Sequence, residues 1–164
     1  MSLKLHLCCG PDKWPGWTNV DAVDFGQEVV ADLAVQWSFA APDSVDAIEC
    51  KDGFEHVPSA EHFLEEAARV LKPGGTLSIW VPHYKNPSAY RLTHLRLMSW
   101  SFFDVFPEAH DRVQNLSVIS NKLYIGRRDS RLFAPLHALI NLAPRWWERL
   151  GYASNIAVVF QKRK

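Results

Sequence analysis

Between Val45 and Val81 the chain reads strand, helix, strand, a pattern that leaves few folds open. Val45-Asp46-Ala47-Ile48-Glu49-Cys50 is a short apolar strand, and Thr76 to Val81 is a second. Between them Phe63, Leu64, Ala67, Val70 and Leu71 recur at helical spacing, while Glu61, Glu65, Glu66 and Arg69 are expected to face solvent. Pro58-Ser59 supplies an N-cap, and Lys72-Pro73-Gly74-Gly75 a stop. Such a βαβ unit pairs its strands in parallel and needs helices on the sheet faces.

The N-terminal part departs from that pattern. Lys4 to Cys9, Trp17 to Asp21 and Val29 to Leu33 read as three further strands. Parallel neighbours normally need a crossover of about a dozen residues or more, usually helical. Only Gly10 to Gly16 separates the first two strands, and Pro11 and Pro15 lie within that stretch. The first crossover helix is therefore expected to be missing. The fold class is α/β and Rossmann-like, with a mainly parallel central sheet and a shortened N-terminal half.

Residues 1–164 are expected to form one domain, since a chain of this length can bury roughly two-thirds of its unfolded surface. Eighteen basic residues balance eighteen acidic ones, so no overall field favours nucleic acid or an anionic membrane. An odd count of cysteines, without a secretory leader or a long apolar run, predicts a reduced, cytoplasmic protein.

Beyond Val81 the pattern loosens. Residues 85–112 read as a lid or substrate insertion holding one short helix. Trp100, Phe102, Phe103 and Phe106 there serve either a substrate pocket or, more ordinarily, the core. Asn115 to Ile125 is a strand, Leu136 to Leu150 a helix interrupted at Pro144, and Ile156 to Phe160 a last strand. Trp146 and Trp147, with Leu139, Ile140 and Leu150, either dock on the sheet or form a homodimer face. Residues 126–131, Gly-Arg-Arg-Asp-Ser-Arg, offer an anion contact or a solvated turn.

A dinucleotide fingerprint needs spaced glycines and a helix whose N-terminal amides meet the pyrophosphate. Here Cys8 takes the first glycine position, Pro11 follows Gly10, and no helix begins. A nucleoside without phosphates fits better. Asp21, ending the second strand, can accept from two ribose hydroxyls, and Asp32 with Leu33 can meet an adenine edge.

Leu5-His6-Leu7-Cys8-Cys9-Gly10, Asn19-Val20-Asp21, Ala31-Asp32-Leu33, Phe54-Glu55-His56-Val57 and the run from Ala67 to Gly75 together resemble the small class I S-adenosylmethionine-dependent methyltransferases. The resemblance covers residues 3–84. It implies that Cys8, Cys9 and Gly10 lie beside the methionyl part of the cofactor and Asp21 on its ribose. It further places Asp32 and Leu33 at the adenine, with Cys50, Lys51 and Asp52 lining the cofactor after the fourth strand. The glycine usual in the family is replaced by Cys8, whose Cβ narrows the loop.

Methyl transfer from a sulfonium requires alignment and, for a hydroxyl or amine, a base. His83 is a candidate because it follows a strand at the carboxyl edge of the sheet, where open α/β folds bind ligands. His94 in the insertion and Asp52 are the others. Glu55-His56 is expected to organise the turn into the helix. No metal is expected, since the cysteines lack C-x-x-C spacing and no histidine stands near them in a cluster.

The function so read is methyl transfer from S-adenosylmethionine to a small-molecule acceptor, such as the hydroxyl or amine of a glycan or other metabolite. Neither nucleic acid nor membrane is expected as a partner. One rival is a non-catalytic S-adenosylmethionine-binding module of the same fold, and another is a dinucleotide oxidoreductase, which the missing glycines disfavour.

Overall fold

The computed structural model describes residues 2–105, 113, 115–126 and 130–164. Seven strands form one sheet: β1 (Lys4–Leu7), β2 (Thr18–Asp21), β3 (Val29–Val30), β4 (Val45–Lys51), β5 (Leu71–Pro82), β6 (Leu116–Tyr124) and β7 (Asn155–Lys162), in the order β3-β2-β1-β4-β5-β7-β6. The pairs from β3 through β5 are parallel. β7 runs against both neighbours, β5 and β6, so the sheet is mixed at one end. That reversal was not legible in Ile156 to Phe160, which is apolar on both faces.

Helix α1 (Ala60–Val70) is capped by Ser59, whose hydroxyl accepts from the His62 amide. It carries the chain from β4 to β5 and buries Phe63, Leu64, Ala67 and Val70. Glu66 departs from the expected outward orientation. It is buried, pairs with Arg69 at 2.7 Å and accepts the Trp37 amide at 2.6 Å. The Arg69 guanidinium holds its carboxyl below the usual range and also bonds the carbonyls of Trp37 and Ala40. This cluster pins the helix-free connection between β3 and β4 against α1. Lys72 to Gly75 interrupts β5 as a register shift within the strand rather than as a separate turn.

The expected missing helix is also missing from the structure: a loop joins β1 to β2. Its place on the sheet is taken by aromatic rings. Trp14 stacks on His6 of β1 at 4.1 Å between centroids, Trp17 meets Trp14 edge-on, and the Lys4 ammonium lies over Trp17. Asn19 replaces the helix as a backbone partner, accepting from the Trp14 amide and donating to the Trp14 and Trp17 carbonyls.

On the α1 face, Trp37, Phe63, Phe54, Phe103 and Phe160 form a continuous run of ring contacts. Phe103 and Trp100 belong to helix α2 (Trp100–Asp104) and are buried, so they serve the core rather than a pocket. Phe106, the rest of the insertion to residue 112, and residues 127–129 lie outside the described residues. The C-terminal helical segment divides into α3 (Ala134–Ile140) and α4 (Pro144–Leu150), with Pro144 opening the second helix. Ile140 enters the core, whereas Leu139, Trp146 and Leu150 are exposed. Among the described residues no helix is long and apolar enough to cross a membrane.

Candidate active site

Because β1, β2, β4 and β5 are parallel, their carboxyl ends open on one edge of the sheet, where α/β folds bind ligands. Two neighbouring cavities occur there. The larger, about 550 Å³, is lined by Cys8 and Gly10 after β1, by Asp21, Val23 and Phe25 after β2, by Asp32 and Leu33, and by Asp52, His56 and Thr93. The smaller, about 240 Å³, is lined by Asp52, Glu55, His56, Pro82, Arg91, His94 and Asn155, with Ser88. Asp52 and His56 border both.

The larger cavity has the size of a site for a drug-sized ligand. Its acidic groups also shape its own wall. The Asp21 carboxylate accepts from the Gly10 amide at 2.9 Å and from the Val23 amide at 3.0 Å. Asp32 accepts from the Ala34 amide at 2.8 Å. Each carboxylate has about four lone-pair sites, so acceptor capacity is left for a ligand.

Cys8 and Asp52 adopt φ values of +53° and +50°, a region in which side chains other than those of Asn, Asp and Gly are uncommon. The position where the resemblance expects glycine is left-handed in this chain. Cys9, Cys50 and Lys51 are absent from the cavity lining: Cys9 and Cys50 are buried in the core, and Lys51 ends β4 as an exposed residue. Burial raises the Cys9 thiol pKa, which disfavours a thiolate.

His83 lies elsewhere. Its ring is fully buried, Nδ1 accepts from the Lys85 amide at 3.2 Å, and Nε2 lies 3.0 Å from Glu148 Oε1. Both ring nitrogens are therefore engaged, and the residue lines neither cavity. Burial keeps His83 below its usual pKa despite the Glu148 carboxylate. Glu148 also accepts from the Trp100 amide and the Ser101 hydroxyl, and Lys85 donates to its backbone carbonyl. The strand end that made His83 a candidate instead ties β5 to α2 and α4.

His94 and Asp52 do reach the cavities, and they bring in two residues that sequence reasoning assigned to a turn. Glu55 is 1% exposed, and burial raises its pKa to about 7. His94 Nε2 stands 4.0 Å from Glu55 Oε1. Burial, with the neighbouring His56, lowers the His94 pKa. Both shifts favour the uncharged forms, so this approach is not an ion pair. Burial likewise raises the pKa of Asp52. The insertion is stapled to this loop: the Leu95 amide donates to the Glu55 carbonyl at 2.9 Å, and Arg96 donates to the carbonyls of Phe54, Val57 and Pro58.

Residues 9–79 match the family described as Methyltransferase domain. A ubiquinone biosynthesis O-methyltransferase of Xanthomonas campestris pv. campestris is 37% identical over 70 residues, 43% of this chain and 27% of that one. A structure of a SAM-dependent methyltransferase from Archaeoglobus fulgidus superposes with a TM-score of 0.66 at 14% identity, covering 98% of this chain and 86% of that one. Residues 9–79 are thus similar to a methyltransferase domain, and the whole described fold is similar to that of S-adenosylmethionine-dependent methyltransferases. A methyltransferase from Haloferax volcanii, solved with the Trm112 methyltransferase activator, gives a TM-score of 0.64 at 19% identity over 99% of this chain and 83% of its own. The family match ends within β5, so the insertion and the reversed β7 are supported by fold similarity alone. The matched stretch spans about a quarter of the length of the curated relatives it matches.

Proposed function

We propose that the chain transfers the methyl group of S-adenosylmethionine to a small-molecule hydroxyl or amine. The larger cavity holds the nucleoside, with Asp21 on the ribose hydroxyls, Asp32 and the Leu33 amide at the adenine edge, and Val23 and Phe25 as apolar walls. The smaller cavity receives the acceptor. The observation that carries this reading is Asp52, which borders both cavities at the point where a methyl group would cross. Asp52 is an exposed residue, yet desolvation at the cavity wall raises its carboxyl pKa and so matches it better to taking a proton near neutral pH. Arg91 gives the acceptor a cationic donor. The name of the Xanthomonas relative, an O-methyltransferase, favours a hydroxyl acceptor such as that of a glycan or another metabolite.

The displacement itself asks little covalent chemistry of the protein. It must align oxygen or nitrogen, methyl carbon and sulfur in line and keep water from the sulfonium. Single-turnover incubation with methyl-labelled S-adenosylmethionine and a panel of hydroxyl and amine compounds tests the proposal. Transfer to a member of the panel, lost in Asp52→Asn, is the expected result. The left-handed Cys8 favours a second reading, a binding module without catalysis. Cofactor bound stoichiometrically with no transfer across the panel supports that alternative.

A further inference from the structure

The geometry points to a divalent transition-metal site formed by Glu55, His56 and His94 in the wall of the smaller cavity. One ligand atom from each of the three lies within 4.8 Å of the others. A closed tetrahedral set with bonds of about 2.1 Å has ligand separations of about 3.4 Å, so these atoms need to close by at most about 1.4 Å to complete one. Each residue carries a separate sign of readiness. Glu55 Oε2 is buried and has no hydrogen-bond partner. A buried carboxylate oxygen left without a donor is costly, and a bound cation satisfies it directly.

His94 Nδ1 is likewise buried and unpartnered, and the His94 side chain is only 5% exposed. His56 Nδ1 lies 2.9 Å from the Thr93 carbonyl oxygen. A carbonyl can only accept, so Nδ1 carries a proton, and Nε2 is the nitrogen left to offer a lone pair to a metal. A ring nitrogen bonded to a backbone carbonyl, with the other left bare, is how metal-binding histidines are commonly oriented. The bonds from Leu95 and Arg96 to residues 54–58 hold the two ligand-bearing segments together without any ion.

Two imidazoles and one carboxylate suit manganese, iron, cobalt or zinc better than calcium or magnesium, which prefer oxygen shells. Three protein ligands leave coordination positions open toward the cavity. An acceptor hydroxyl bound there would be oriented and acidified. This use of the ion rests on the methyl-transfer reading, whereas the site itself does not.

Manganese is a suitable probe because the free thiols of this chain compete poorly for it. Full-length protein stripped with EDTA and titrated with MnCl2 is expected to bind one Mn2+ per chain, read from loss of the free-ion paramagnetic resonance signal. Glu55→Gln, His56→Asn and His94→Asn are each expected to weaken binding roughly tenfold or more. Mn2+ should also raise the melting temperature of the wild type. The exposed His56 decides the matter if a variant at a buried position fails to fold. Absence of saturable binding, or binding undiminished in His56→Asn, overturns the site. Titration with S-adenosylmethionine in EDTA reads the other cavity separately. Cofactor binding without Mn2+ binding overturns the cation site alone, and Mn2+ binding without cofactor binding overturns the methyl-transfer reading alone.

Discussion

A side-chain carbon placed on Gly53 would lie 2.4 Å from Cβ of Cys8 and 2.6 Å from its Sγ. The loop after β1 carries a cysteine in a left-handed position that favours glycine, and the loop after β4 makes room by having a glycine opposite. The two positions form one packing unit under the larger cavity. Gly53→Ala is therefore expected to destabilise the fold by about 1–3 kcal/mol through overpacking. Adding Cys8→Gly removes the obstructing atoms, so the double variant should recover most of that loss. Denaturant unfolding of the four proteins in a double-mutant cycle measures the coupling. Simple additivity would show that the two residues do not share a space.

Asp21 serves its own loop as well as the proposed ligand. Asp21→Ala removes an acceptor for Gly10 and Val23 along with the ribose contact. The expected loss of S-adenosylmethionine affinity is about 2–5 kcal/mol. Loss of fold stability should be smaller, about 1 kcal/mol. Calorimetric titration and thermal melting separate the two effects, and unchanged affinity would remove Asp21 from the cofactor site.

Asp52→Asn keeps the shape of the side chain and a residue that tolerates positive φ. Transfer should slow by roughly 10²- to 10⁴-fold, with cofactor affinity nearly preserved, if the carboxylate accepts the proton. A variant with wild-type turnover would move that role to another group.

The His83–Glu148 network sets a pH dependence. Burial raises the Glu148 carboxyl pKa, but bonds from Ser101, His83 and Trp100 outweigh it and leave the folded value below the usual 4.5. Its contribution is present above the unfolded value and lost as pH falls through the folded one. His83 in the fold titrates below its usual 6.5. Below that pH the unfolded chain takes up a proton that the folded chain resists, so this group also weakens the fold as pH falls. Stability is expected to decline from about pH 6.5 downward and more steeply below about pH 4.5. In Glu148→Gln the steeper limb should flatten, which melting temperatures across that range would show. His83→Ala leaves Glu148 short of a donor and should cost about 1–3 kcal/mol of stability. Transfer per folded molecule should not change, since the ring borders neither cavity.

Local pattern carried much of the fold into view. The spacing of Phe63, Leu64, Ala67 and Val70 identified α1, and the short separation of Leu7 from Thr18 excluded a crossover helix, because both are constraints between near neighbours. The direction of β7 depends on where a distant segment docks, and Ile156 to Phe160 carries no mark of it. Cys8 was legible as an anomaly, but its release by Gly53 required two loops seen together. His83 was a candidate because it follows a strand at the carboxyl edge of the sheet. Glu148, far along the chain, is what engages its ring. Glu55 and His56 lie far in sequence from His94, and no spacing rule joins them. The fastening of the insertion by Leu95 and Arg96 brings the three into one wall.

Calorimetric titration of the protein with S-adenosylmethionine, with NAD as the comparison, tests the central claim most directly. One saturable site for S-adenosylmethionine, strongly weakened in Asp21→Ala, and no comparable binding of NAD are expected. Tight NAD binding, or no S-adenosylmethionine binding in the wild type, would contradict it.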